Sequence, residues 1–198
     1  NNRLEKVRDI FCFGCYTGLR FSDISALKFL SIMTKQNVGG GEYQALNFNV
    51  YKTKDMLVVP LSKYALEIIE KYRQIAIKSI SAINGDVDKL LIERKVFPTI
   101  SNQKMNDYIK EVAELSGINQ VVSLTKFVGT KRIDTTHYKY ELISTHAARR
   151  TFAIVSLEMG MRIEILQKLL GHKTIKTTMR YVFIQEDMKN AEIQKVWK

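Results

Sequence analysis

The chain has 198 residues, enough for one domain with a substantial core or one domain with an appendage. Lys and Arg outnumber Asp and Glu by 31 to 20, a net charge of +11 that points toward a polyanionic partner, of which nucleic acid is the commonest. No stretch approaches the roughly 18 consecutive apolar residues of a membrane span, and Asn1-Asn2-Arg3-Leu4-Glu5-Lys6 lacks the apolar core of a secretory signal, so the expectation is a cytoplasmic protein without membrane contact.

Residues 5–16 read as an amphipathic helix that stops at Thr17-Gly18. Ser22 is a candidate cap for a short second helix running to Leu27, with Asp23 in its first turn. Strand-like runs follow at 28–33, 43–51 and 56–61, with Gly39-Gly40-Gly41 between the first two and a turn over 52–55. Ala65, Ile68, Ile69, Tyr72 and Ala76 recur at helical spacing. A helix is expected over 86–94, before Pro98. Ser101 is placed to cap the next one, whose apolar face is Met105, Ile109, Val112 and Ala113 and which Gly117 stops. Runs at 121–128 and 132–137 form a hairpin about Gly129-Thr130. Helices are expected over 146–159, 162–170, 174–182 and 186–197. The fold class is therefore mainly α with a small antiparallel β-sheet (α+β).

Cys12 and Cys15 make a Cys-x-x-Cys pair, half of a zinc site or a redox pair. A structural zinc needs four ligands, and the chain has no second cysteine pair. Both lie within the apolar pattern of the first helix (Val7, Ile10, Phe11), so they read as small buried hydrophobes, and no metal or other cofactor is expected.

The chemistry lies in residues dispersed along the chain: Arg20, Lys52, His146, Arg149, His172 and Tyr181. A phosphodiester resists attack because it is negative, and displacement at phosphorus spreads more charge onto its oxygens. Guanidinium forks hold that charge best, through paired hydrogen bonds of fixed geometry. Arg20 stands between a helix stop and a helix start. Arg149 follows His146 by three residues, so the two share a helical face. Arg150, about 100° further round, suits contact with phosphate or solvent. His172 follows Gly171 at a helix end, where a side chain is exposed. Tyr181 comes nine residues later, and a phenol with a pKa near 10 needs a base or a cationic neighbourhood to become a nucleophile.

The order and spacing of Thr17-Gly18-Leu19-Arg20-Phe21-Ser22-Asp23, His146-Ala147-Ala148-Arg149, Leu169-Leu170-Gly171-His172 and Tyr181 resemble the tyrosine recombinase (phage integrase) family over most of the chain. The resemblance implies that family's catalytic-domain fold over residues 1–198, without the usual N-terminal core-binding domain. It implies Tyr181 as the nucleophile and Arg20 and Arg149 as the phosphate clamps. His146 becomes the base or its equivalent, and His172 a hydrogen-bond donor to the scissile phosphate. Lys52 becomes the acid for the 5′ leaving oxygen, with Lys54 as the alternative. Asp23 is expected to be structural, orienting Arg20 and helping to hold the site together. The implied partners are double-stranded DNA, three further copies in a homotetramer, and accessory DNA-bending or excision proteins near the bacterial nucleoid. The hairpin, with Lys131-Arg132 beside its turn as candidate DNA contacts, and the run Ser144-Thr145-His146-Ala147-Ala148-Arg149-Arg150-Thr151-Phe152-Ala153 resemble integrases of conjugative and mobilizable transposons. His137 is expected to be only a hairpin residue. A type IB topoisomerase shares the chemistry but rejoins the same strand, and a non-catalytic DNA-binding protein would leave the registered Arg, His and Tyr positions unexplained.

Overall fold

A computed structural model describes residues 2–52, 54–81, 86–182 and 193–194. It divides into two compact units, Asn1–Phe152 and Ala153–Lys198. Among the described residues no helix is long and apolar enough to cross a membrane.

In the first unit, helix α1 (Asn2–Thr17) buries Val7, Ile10 and Phe13. It ends where the Thr17 hydroxyl turns back to donate to the Phe13 carbonyl at 2.7 Å. Helix α2 (Phe21–Ala26) starts one residue earlier than its expected Ser22 cap, with Arg20 at the N-cap position and no side-chain cap bond. The reason is the extended backbone of Arg20, whose own carbonyl accepts from the Asp23 and Ile24 amides. Ser22 is left inside the helix.

The first expected strand is displaced. Lys28 instead pairs with Lys95 in an isolated bridge, and Phe29–Ser31 make a 3₁₀ turn that buries Phe29. Strand β1 (Ile32–Gln36) begins only after that turn. Strands β1, β2 (Glu42–Asn49) and β3 (Met56–Pro60) form an antiparallel sheet in that order, with Ile32 opposite Leu46 and Leu46 opposite Val59. Leu46 and Val59 enter one core with Phe13, Leu19, Ile24 and Ile69.

Helices α3 (Lys63–Ser81), α4 (Val87–Glu93) and α5 (Asn102–Leu115) complete that core through Ile69, Leu91, Met105 and Ile109. Asp86 and Ser101 cap α4 and α5, accepting from the Lys89 and Lys104 amides. Strands β4 (Val121–Val128) and β5 (Lys131–Tyr138) make the expected hairpin, and a 3₁₀ turn over Lys139–Leu142 that periodicity did not suggest leads out of it. Helix α6 (Thr145–Glu158) starts in this unit.

Helix α1 also packs against α6 there. A Cβ placed on Gly14 would stand 3.0 Å from Ala148 Cβ and 3.4 Å from Ile24 Cδ1, so the absence of a side chain at Gly14 sets how closely α6 approaches.

The second unit holds α7 (Ile163–Leu169), α8 (Ile175–Thr178) and a 3₁₀ turn over Met179–Tyr181. The helix expected over 186–197 lies outside the described residues apart from Ile193 and Gln194.

Gly14→Val would force α6 away from α1. It should lower stability by ~1–3 kcal/mol, read as a lower urea midpoint at unchanged m-value. An unchanged midpoint would mean that this helix contact yields freely.

Candidate active site

Arg149 is 4% exposed, and its Nη1 donates to the Gly18 carbonyl at 2.8 Å. A guanidinium is buried only where its donors find acceptors. The carbonyl end of α1 is a favourable place for one, because a helix C-terminus carries partial negative charge and the last turn of α1 has no basic residue of its own. This bond joins two motifs 131 residues apart. Gly18 is two residues from Arg20, and Arg149 is one helical turn from His146.

Arg20, half-buried, and His146, exposed, line one open cavity of about 520 Å³. Tyr51, Lys95, Asn102 and Thr145 line it too, and the sequence carries no periodic signal that would have singled them out. Lys52 is exposed and directly follows Tyr51, on the turn between β2 and β3. That turn is closed by the Val50 amide on the Asp55 carbonyl at 2.9 Å and by the Lys54 amide on the Val50 carbonyl at 2.8 Å. Lys54 takes a left-handed conformation (φ 60°), and its Nζ lies 4.9 Å from the centre of the Tyr51 ring.

The Asp23 carboxylate, 3% exposed, accepts from the Tyr51 amide at 2.9 Å. The bond ties α2, which Arg20 opens, to the strand turn that carries Lys52. Arg150 is exposed, as are Lys131 and Arg132 on the hairpin. Arg132 pairs with Asp134 across 2.9 Å, and His137, on the same strand, contacts the Thr135 hydroxyl at 3.1 Å.

In the second unit, α7 ends in a paired cap. The Gly171 amide bonds the Lys168 carbonyl and the His172 amide bonds the Gln167 carbonyl, both at 3.0 Å. Gly171 takes φ 60°, a value that suits glycine. Gln167 Nε2 returns to the His172 carbonyl at 3.0 Å, so the backbone of His172 is held from both sides. Its ring Nδ1 contacts the Thr178 hydroxyl at 2.9 Å. The Tyr181 ring stacks on it, 6.2 Å between centres and 15° between planes.

Among the described residues no group of three or more His, Cys, Asp or Glu is placed to hold a metal ion. The Cys15 thiol is pushed up to about 12 by burial, against the pull of a hydrogen bond with Thr151, and burial also raises Cys12. Such thiols are poor thiolates and hence poor nucleophiles.

Comparison with known proteins agrees on one family. Residues 4–188 match the model of the phage integrase family. The chain is 27% identical over 176 residues to the tyrosine recombinase XerD of Proteus mirabilis, covering 84% of this chain and 44% of that protein. It therefore spans less than half the length of that relative. In fold it is similar to the XerH site-specific recombinase bound to its difH substrate, with a TM-score of 0.58 at 14% identity, over 100% of this chain and 53% of that one. It is similar as well to the Tn1549 transposon integrase in complex with a circular intermediate DNA, with a TM-score of 0.55 at 17% identity, over 97% and 59%.

Removing the Asp23 carboxylate should release the strand turn. A hydrogen bond to a charged group is worth ~1.5–3 kcal/mol, so in Asp23→Ala the Tyr51 amide should exchange its hydrogen at least about tenfold faster. Asp23→Asn, which keeps an acceptor, should stay near the parent rate. Unchanged protection in the alanine variant would deny the tie between α2 and the turn.

Proposed function

The chain belongs to the phage integrase family, and we propose that it is the catalytic domain of a site-specific tyrosine recombinase that cuts and rejoins double-stranded DNA. The observation that carries this reading is the buried Arg149–Gly18 bond, which ties the arginine and histidine motifs of the first unit together, with the cavity that Arg20 and His146 line. Relatives and structural neighbours whose names describe recombinases, two of them held on DNA, support it.

In this mechanism the Tyr181 hydroxyl attacks the scissile phosphorus and gives up its proton to His146 or an equivalent base. A Tyr–O–P bond forms on the 3′ side and the P–O5′ bond breaks. Lys52 donates a proton to the departing 5′ oxygen, a poor leaving group without one. Arg20, Arg149 and His172 hold the non-bridging oxygens as their charge grows. A 5′ hydroxyl from a second duplex then attacks the phosphotyrosine and returns the proton to Tyr181. The phosphodiester's energy is kept in the protein–DNA bond, so neither nucleotide hydrolysis nor a metal enters the balance.

The core-binding domain of the whole protein would lie outside these 198 residues. Four copies would assemble on DNA in the cytoplasm at the nucleoid, aided by accessory DNA-bending or excision proteins. Arg150, Lys131 and Arg132 would contact DNA phosphates, a use their exposure permits. The exposed hairpin and the likeness to a transposon integrase support integration or excision of a mobile element as the finer reading.

Two measurements on the full-length protein with a nicked suicide substrate test this. Tyr181→Phe should lose the covalent DNA band on a denaturing gel while keeping DNA affinity, and a persistent band would move the nucleophile elsewhere. A substrate with sulfur at the bridging 5′ position releases a thiolate and needs no acid. Lys52→Ala should then recover most of the ~10²–10⁴-fold that general acid catalysis commonly provides, whereas Arg20→Ala and Arg149→Ala should recover little. Selective rescue of Lys54→Ala instead would shift the acid by two residues.

A further inference from the structure

Helix α6 has to present His146 from its first turn, where the backbone is least constrained, since the opening N–H groups of a helix have no partner within it. Its first turn has no acidic residue. The partner comes from α5. The amide of Thr145, the first residue of α6, donates to Asn106 Oδ1 at 2.8 Å, and the Thr145 hydroxyl donates to Asn102 Oδ1 at 3.3 Å. Only the oxygen of the Asn106 amide accepts a backbone N–H, so the chemistry fixes which way the group faces. Asn102 and Asn106 stand one turn apart on α5, linked at 3.5 Å, so one face of that helix meets the start of α6. Helix α5 is itself secured by its Ser101 cap and by buried Met105, Ile109 and Ala113.

We infer that Asn106 is a positioning residue for strand cleavage, acting through the Thr145 amide to hold His146 in place. The inference rests on the proposed role of His146 and extends it to a group that does not line the cavity. Thr145 and Asn102 do line it, together with Arg20 and His146, so a shift at Thr145 is felt at the reacting phosphate. Arg149, one turn further along, is held by a separate bond, to the Gly18 carbonyl. Loss of the Asn106 acceptor should therefore displace His146 and spare the phosphate clamp.

The separation is measurable in the full-length protein, as single-turnover cleavage of a suicide substrate alongside DNA affinity. Asn106→Ala should cleave about tenfold or more slowly, because a displacement on the order of 1 Å costs up to 10²-fold, with affinity changed less than about twofold. Asn106→Asp keeps an oxygen acceptor, is favoured at a helix start, and should restore most of the rate. Thr145→Pro supplies the decisive background. Proline is well suited to the first position of a helix and has no N–H to satisfy, and its ring carbon takes the place of the hydrogen that Asn106 accepted, so Asn106→Ala should not slow cleavage further. A parental rate in Asn106→Ala overturns the inference. So does an equal loss of cleavage and affinity, or an undiminished effect in the Thr145→Pro background. If the parent protein itself forms no covalent complex, the recombinase reading fails. If the parent does and Asn106→Ala matches it, only the inference about Asn106 fails.

Discussion

The bond from Arg149 to the Gly18 carbonyl is the constraint on which the first unit's chemistry depends. A positive charge removed from water is costly unless its donors are met, and here the acceptor is a carbonyl at the negative end of the sixteen-residue helix α1. Breaking the bond would leave a guanidinium donor without that acceptor in a site that is nearly closed to water. The same bond fixes the separation between the loop that leads to Arg20 and the helix that carries His146. Close contact at Gly14 makes the arrangement possible, since α1 and α6 could not meet as they do around a larger side chain.

Two other links have the same form, a side-chain oxygen taking a distant backbone amide. Asp23 takes Tyr51, and Asn106 takes Thr145. Each secures a place where regular structure begins or ends and where backbone groups would otherwise turn to water. The links are made with amides and carboxylates anchored in packed helices, not with extra secondary structure. In the second unit the equivalent device is local: a glycine cap turns α7 out at His172, and Thr178 and Tyr181 meet its ring within nine residues.

That difference in range explains what could be read from the sequence. Features that depend on neighbours in the chain were legible: the stop at Thr17-Gly18, the helix over 86–94, the cap at Ser101, the hairpin about Gly129-Thr130, and the helix end at Gly171. The strand expected over 28–33 was not, because Lys28 pairs with Lys95 and Phe29 turns inward to reach the core. Ser22 has a residue type that suits a cap, but the extended backbone of Arg20 starts the helix earlier. Among the candidate site residues, Arg20 and His146 line one cavity, Arg149 is bonded to the Gly18 carbonyl two residues before Arg20, and His172 is stacked on Tyr181. The partners of Asp23 and Thr145 lie 28 and 39 residues away, and no periodicity or spacing encodes them.

The central claim is that Tyr181 carries the DNA. It is tested most directly by trapping the covalent complex of the full-length protein, trimming the DNA with nuclease, digesting with trypsin and sequencing the modified peptide by mass spectrometry. Tyr181 follows Arg180, so it opens the tryptic peptide 181–189. The account predicts a nucleotide attached through its 3′ phosphate to the Tyr181 oxygen in that peptide. A nucleotide on any of the other eight tyrosines, or one joined through a 5′ phosphate, would contradict it.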